Sequence, residues 1–120
     1  METKDIIATI CQSVLRKKGT DLKILDVRGL TSIADYFVLV SVRNRKQAQA
    51  AADETEDQLK LKDLRPLRRE GYREGGWVLL DYGDIVVHVF TDEERQRYEL
   101  DTLWSDAREE TYDEATGTIS

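Results

Sequence analysis

Between Gly75 and Phe90 the chain reads Gly-Gly-Trp-Val-Leu-Leu-Asp-Tyr-Gly-Asp-Ile-Val-Val-His-Val-Phe. Two runs rich in β-branched, leucine and aromatic residues flank the pair Gly83-Asp84, which predicts a β-hairpin. Glycine in the first turn position suits a type II′ turn, because it takes φ > 0 without strain. A two-residue turn then fixes the register. Tyr82 faces Ile85, Asp81 faces Val86, Leu80 faces Val87, Leu79 faces His88, Val78 faces Val89 and Trp77 faces Phe90. Side chains alternate across a strand, so these pairs divide between two faces. Val78, Leu80, Tyr82, Ile85, Val87 and Val89 form a face without charge, suited to a core. Trp77, Leu79, Asp81, Val86, His88 and Phe90 form the other, with two large aromatics, the sole histidine and a carboxylate. That mixture is neither plain core nor plain solvent face. It is a candidate functional surface, unless a helix covers it; alternation alone does not choose between the two.

The rest of the chain supplies a domain around this hairpin. Thr3 is placed to cap a first helix whose apolar stripe is Ile6, Ile7, Ile10, Cys11, Val14 and Leu15, with Gly19 as its stop. Asp21 to Val27 alternates as a strand. Tyr36 to Val42 is almost continuously apolar and fits a central strand buried on both faces. Asn44 can cap a second, alanine-rich helix to about Leu61, with Ala48, Ala52, Thr55 and Leu59 inward. Leu67 to Gly71 reads as a short strand. Thr91-Asp-Glu-Glu94 is a capping box that opens a last helix running past Tyr98, after which Leu100, Leu103 and Trp104 fold back. The expected fold is α/β: one small domain over residues 1–104, with a mixed five-stranded sheet and flanking helices. A parallel pair is allowed by the crossover between Tyr36 and Leu67. Residues 105–120 hold Asp106, Glu109, Glu110, Asp113 and Glu114 against Arg108, with Tyr112 and Ile119 the large apolar residues, and are expected to be a disordered acidic tail.

Charge and cysteine content narrow the function classes. The net charge is −6, from 24 acids and 18 bases. Lys60, Lys62, Arg65, Arg68, Arg69 and Arg73 crowd one segment, but the chain lacks the basic excess of a protein that binds nucleic acid by counterion release, so little or no direct nucleic-acid contact is expected. No apolar run approaches membrane-spanning length and no charged-then-apolar leader opens the chain, so a soluble, cytoplasmic protein is expected. Cys11 is the sole cysteine and reads as a buried structural thiol.

Catalytic patterns are thin. One histidine and one cysteine do not make the usual zinc sites, and neither a phosphate loop nor a nucleophile elbow occurs. Asp81 and Asp84 are the carboxylate pair worth weighing; Asp84 has a turn role, and Asp81 is placed to orient a neighbour. No cofactor, no metal and no enzymatic activity are expected. Trp77 is different: an apolar body with a polar handle is a favoured interface anchor. Trp77, Leu79, Asp81, Tyr82, His88 and Phe90 are therefore the candidate partner-binding residues. Arg43, Arg45 and Lys46 open the second helix, where bases oppose the dipole, so two readings stand: selection for something other than local stability, and, favoured for each residue taken singly, ordinary solvated charge.

Three stretches in order carry a resemblance: Asp26-Val-Arg-Gly-Leu-Thr-Ser-Ile-Ala-Asp-Tyr-Phe37, Glu70-Gly-Tyr-Arg-Glu-Gly75 and Trp77 to Phe90. Over about Ile6 to Trp104 the chain resembles the ribosomal silencing factor, or iojap, family. The resemblance implies a small α/β domain like that of nucleotidyltransferases without their catalytic carboxylates. It also implies a translational repressor that binds the large ribosomal subunit through its fourteenth protein, blocks joining of the small subunit and lowers translation when nutrients are scarce. The family reads Ser-Gly-x-Ser-x-Arg-Gln after the second strand. Here Ser41-Val-Arg-Asn-Arg-Lys-Gln47 puts Val42, Asn44 and Lys46 in place of Gly, Ser and Arg. Two other readings stand beside the repressor: a degenerate nucleotidyltransferase-like protein that still binds a nucleotide, and a structural homodimer with a self-complementary aromatic face.

Overall fold

A computed structural model describes residues 2–120, and the side chains of all of these except 100 and 101. The elements follow in the order α1 (Thr3–Arg16), β1 (Thr20–Asp26), β2 (Tyr36–Val42), α2 (Arg45–Lys60), β3 (Arg68–Glu70), β4 (Trp77–Asp81), β5 (Ile85–Thr91), α3 (Asp92–Tyr98), α4 (Leu100–Leu103), β6 (Arg108–Glu110), β7 (Tyr112–Asp113) and β8 (Thr118–Ile119). Six strands form one mixed sheet in the order β3-β4-β5-β2-β1-β6, and β7 and β8 make a small separate ribbon.

The hairpin register is the one that a two-residue turn demands, from Trp77 opposite Phe90 to Asp81 opposite Val86. Tyr82 N donates to Ile85 O at 2.9 Å, and Gly83 has φ 89°. β2 is buried along its whole length, as an uninterrupted apolar run requires. Its parallel partner is β5, not the strand at Leu67. The reason lies in composition. β3 is Arg-Arg-Glu and fully exposed, so it suits only an edge, while the buried β5 takes the centre beside β2.

Helices α1 and α2 bury one face of the sheet. Ile7, Ile10, Cys11 and Val14 of α1 and Ala48, Ala51, Ala52 and Leu59 of α2 pack on Val38, Val40, Val78, Leu80, Val87 and Val89. The alanines let α2 approach closely. Burial pushes the Cys11 thiol up to about 12, which makes it an inert core group. α2 is capped as expected, with Gln47 N donating to Asn44 Oδ1. α1 is not: Thr3 is its first helical residue, and Glu2 precedes it without a side-chain cap.

The chain after Trp104 departs from expectation. It is not disordered in the structure. Arg108–Glu110 pairs antiparallel with Ile24–Asp26 and closes the β1 edge. β7 and β8 then bring Ile119, 8% exposed, into the main core. Composition pointed to disorder because the segment is acidic. One buried isoleucine, one half-buried tyrosine and an open strand edge supply the order that the charge pattern conceals.

Candidate functional site

The mixed face of the hairpin is partly covered, and the cover divides its residues. Leu25, Val27, Ala34, Phe37, Leu39, Val86 and Phe90 form a second, smaller core, with Trp77, Leu79, Trp104 and Ala107 packed at its margin. Phe90 is 0% exposed. His88 is 9% exposed and lies edge-on to Phe37, at 4.9 Å between ring centroids. Neither meets solvent as an interface residue would. The strand alternation placed them correctly, but could not reveal that Trp104, seated edge-on to Phe37 at 5.0 Å, and the α3–α4 segment would fold over them.

Trp77 links this buried layer to the surface. Its Nε1–H donates to His88 Nδ1 at 3.1 Å. That bond fixes the imidazole as neutral with its proton on Nε2, which finds no acceptor among the described residues. Burial holds the His88 pKa down, to about 4, because charging the ring would strip an imidazolium of water. On its other flank the indole lies 5.3 Å from the Tyr98 ring, which is half exposed at the end of α3. Leu79 is half-buried on the same face. The accessible part of the cluster is therefore Trp77, Leu79 and Tyr98, resting on Phe90 and His88.

Asp81 and Tyr82 do not join it. Asp81 Oδ1 accepts from Gly83 N at 2.8 Å and Oδ2 pairs with Arg68 Nε at 3.3 Å, so the carboxylate locks the hairpin turn and ties β4 to edge strand β3. Tyr82 packs against the α1–α2 core, on the opposite side of the sheet, where burial raises its pKa. Tyr98 was the residue that strand alternation missed. It is the one large apolar side chain in the otherwise charged and polar Asp92–Tyr98 helix, and that isolation was the available signal.

Anchoring at the other end of α3 is firm. Glu94 N donates to Thr91 Oγ1, and the buried Arg95 donates through Nη1 to Asp21 O at 2.7 Å and to Ser41 Oγ at 2.9 Å. Its guanidinium lies 5.5 Å from the Phe90 ring centroid. Ser41 thus serves as a hydrogen-bond acceptor for a structural arginine. Among the described residues no group of three or more His, Cys, Asp or Glu side chains could hold a metal ion, and no helix is long and apolar enough to cross a membrane.

Fold and site together define a small α/β domain whose most developed side-chain cluster is an aromatic one. The model of the family described as ribosomal silencing factor during starvation matches residues 1–119, and the chain belongs to that family. It is 39% identical over 107 residues to ribosomal silencing factor RsfS of Bacillus subtilis, covering 89% of this chain and 91% of that one. The crystal structure of a Chromobacterium violaceum protein is similar with a TM-score of 0.84 at 31% identity, covering 88% of each chain. A more distant relative, 28% identical over 97 residues, is the mouse mitochondrial assembly of ribosomal large subunit protein 1; the match spans 78% of this chain and 42% of that one. The family is named for regulation of the ribosome rather than for a reaction.

Proposed function

We propose that this protein represses translation by binding the large ribosomal subunit, through that subunit's fourteenth protein, and by sterically preventing the small subunit from joining, in the cytoplasm and when nutrients are scarce. The observation that carries the reading is Trp77. In a chain of this family, a tryptophan remains partly open on a sheet face while its polar handle is already satisfied internally by His88. An indole held in this way loses little conformational freedom on binding, which is what an anchor residue needs. Leu79 extends the contact, and the Phe90 and His88 rings lie against the indole at 5.7 and 6.0 Å between centroids. The name of the mouse relative, which refers to assembly of the large subunit, favours that subunit as partner.

The test is sedimentation of the purified protein with separated subunits. It should travel with the large subunit and not with the small one. Trp77→Ala should lose that association while remaining folded. A variant that still travels with the large subunit would move the contact away from this face.

A further inference from the structure

The aromatic face leaves unexplained the bases that open α2, and the structure adds others to them. Gln47 donates through Nε2 to the carbonyl oxygens of Lys17 and Lys18, both at 3.0 Å, and accepts from Arg43 N at 2.7 Å. This fastens the end of α1 to the start of α2. Gln49 Nε2 donates to Tyr72 O at 2.8 Å, in the loop between β3 and β4. A Cβ placed on Gly75 would lie 2.8 Å from Arg45 Cβ, so that loop rests directly on the first turn of α2. Three segments distant in sequence thus bring Lys17, Lys18, Arg43, Arg45, Lys46 and Arg73 to one end of the molecule.

All six are exposed, and among the described residues none forms an ion pair. Other arginines are spoken for: Arg69 by Glu56 and the Tyr72 ring, Arg68 by Glu70 and Asp81. Acids stand around the cluster: Glu74 in the same loop, Glu94, which lies against Gly76 and pairs with Arg97, Glu54, which pairs with Arg16 beside Lys17, and Asp53, which accepts from the Tyr72 hydroxyl beside Arg73. None of them pairs with one of the six. A chain with net charge −6 therefore holds six unpaired cations together, three of them at a helix start where positive charge is unfavourable.

We propose that this basic end binds the phosphodiester backbone of folded RNA. Arginine forks match phosphate geometry, and several short cationic reaches from a rigid base suit the spaced phosphates of a duplex. No free aromatic ring lies among the six for stacking on unpaired bases; Tyr72 is held by Arg69 and donates its hydroxyl to Asp53. No large exposed apolar side chain lies among them for insertion into a bilayer. The whole-chain charge argued against nucleic-acid contact. The placement of these cations confines such contact to a few phosphates and to one end. The aromatic face plays no part in it, so this proposal and the subunit-joining mechanism stand or fall separately.

The experiment is fluorescence anisotropy of a labelled RNA hairpin titrated with the full chain at several salt concentrations. Wild type should bind with micromolar affinity at ~50 mM salt, with a slope of log K on log salt of about −3, as expected for three to four phosphates. R43Q/R45Q/R73Q should weaken binding at least about tenfold at ~100 mM salt and flatten the slope by about 2.7, nearly all of it. K60Q/K62Q/R65Q removes three positive charges elsewhere and should change both little. Melting curves check that the two triple variants fold equally well, as the absence of ion pairs predicts for the first; should it fail to fold, the single variants Arg45→Gln and Arg73→Gln take its place, each flattening the slope by about 1. Equal losses in the two triple variants would overturn the proposal. So would no binding by wild type, equal displacement of the RNA by poly-glutamate, or tighter association with phosphatidylglycerol vesicles than with RNA.

Discussion

Truncating Trp77 should separate the two jobs that its indole performs. Trp77→Ala removes ring contacts with Phe90 at 5.7 Å and Tyr98 at 5.3 Å and a hydrogen bond to His88 at 3.1 Å. Full truncation of a buried aromatic costs about 3–5 kcal/mol, and the partial exposure of this one brings its packing share down to about 2 kcal/mol. The lost hydrogen bond adds about 1 kcal/mol. A total near 3 kcal/mol lowers the melting temperature of a domain of this size by about 10 °C and leaves it folded at 20 °C. Trp77→Phe keeps most of the ring and loses the N–H, so it should cost about 1 kcal/mol. Binding is the second readout, taken at a temperature where wild type and both variants are folded by circular dichroism. Loss of an anchor costs about 2–4 kcal/mol, or roughly 30- to 1,000-fold in affinity for the large subunit. The reasoning is refuted if Trp77→Ala melts within about 2 °C of wild type, since the ring would then not be packed. It is equally refuted if the alanine variant is folded and binds unchanged.

Val78→Ala should show the reverse: Val78 is fully buried on the opposite face, so stability should fall by about 2 kcal/mol while the folded fraction binds normally. The depressed His88 pKa makes stability pH-dependent. The unfolded imidazole takes up a proton near pH 6.5 and the folded one only near pH 4, so the contribution is intact above about 6.5 and is lost as pH falls toward 4. Urea unfolding at pH 7, 6 and 5 should show that decline, of the order of 3 kcal/mol by pH 4, and His88→Gln should flatten it. Deleting residues 105–120 uncovers the β1 edge and removes Ile119 from the core, so the melting temperature should drop by several degrees; no change would mean that the segment does not pack on the body.

How legible this molecule was depends on the range of the interaction concerned. The hairpin register, the buried β2 run and the Asn44 cap are local matters, decided by alternation, composition and a side chain reaching three residues on, and the structure has them as the sequence implied. Partner choice within the sheet is not local. The Tyr36 strand could have paired in parallel with either strand beyond the crossover, and only the exposure of Arg-Arg-Glu against the burial of β5 decides it. The mixed face was legible as unusual. Its division into a buried part, Phe90 and His88, and an accessible part, Trp77 and Leu79, depends on Trp104 and the α3–α4 segment returning over it, which no period in the strands encodes. The acidic end of the chain misled for the same reason: its order comes from an open edge on β1, a property of the fold and not of the segment.

Subunit joining tests the central claim most directly. Separated ribosomal subunits are mixed with an excess of the wild-type protein at a magnesium concentration that permits joining, then resolved on a sucrose gradient. The account predicts that the two subunit peaks persist, with the protein under the large one, and that Trp77→Ala at the same concentration lets the joined particle form. A joined particle forming in the presence of wild-type protein as readily as in its absence would contradict it.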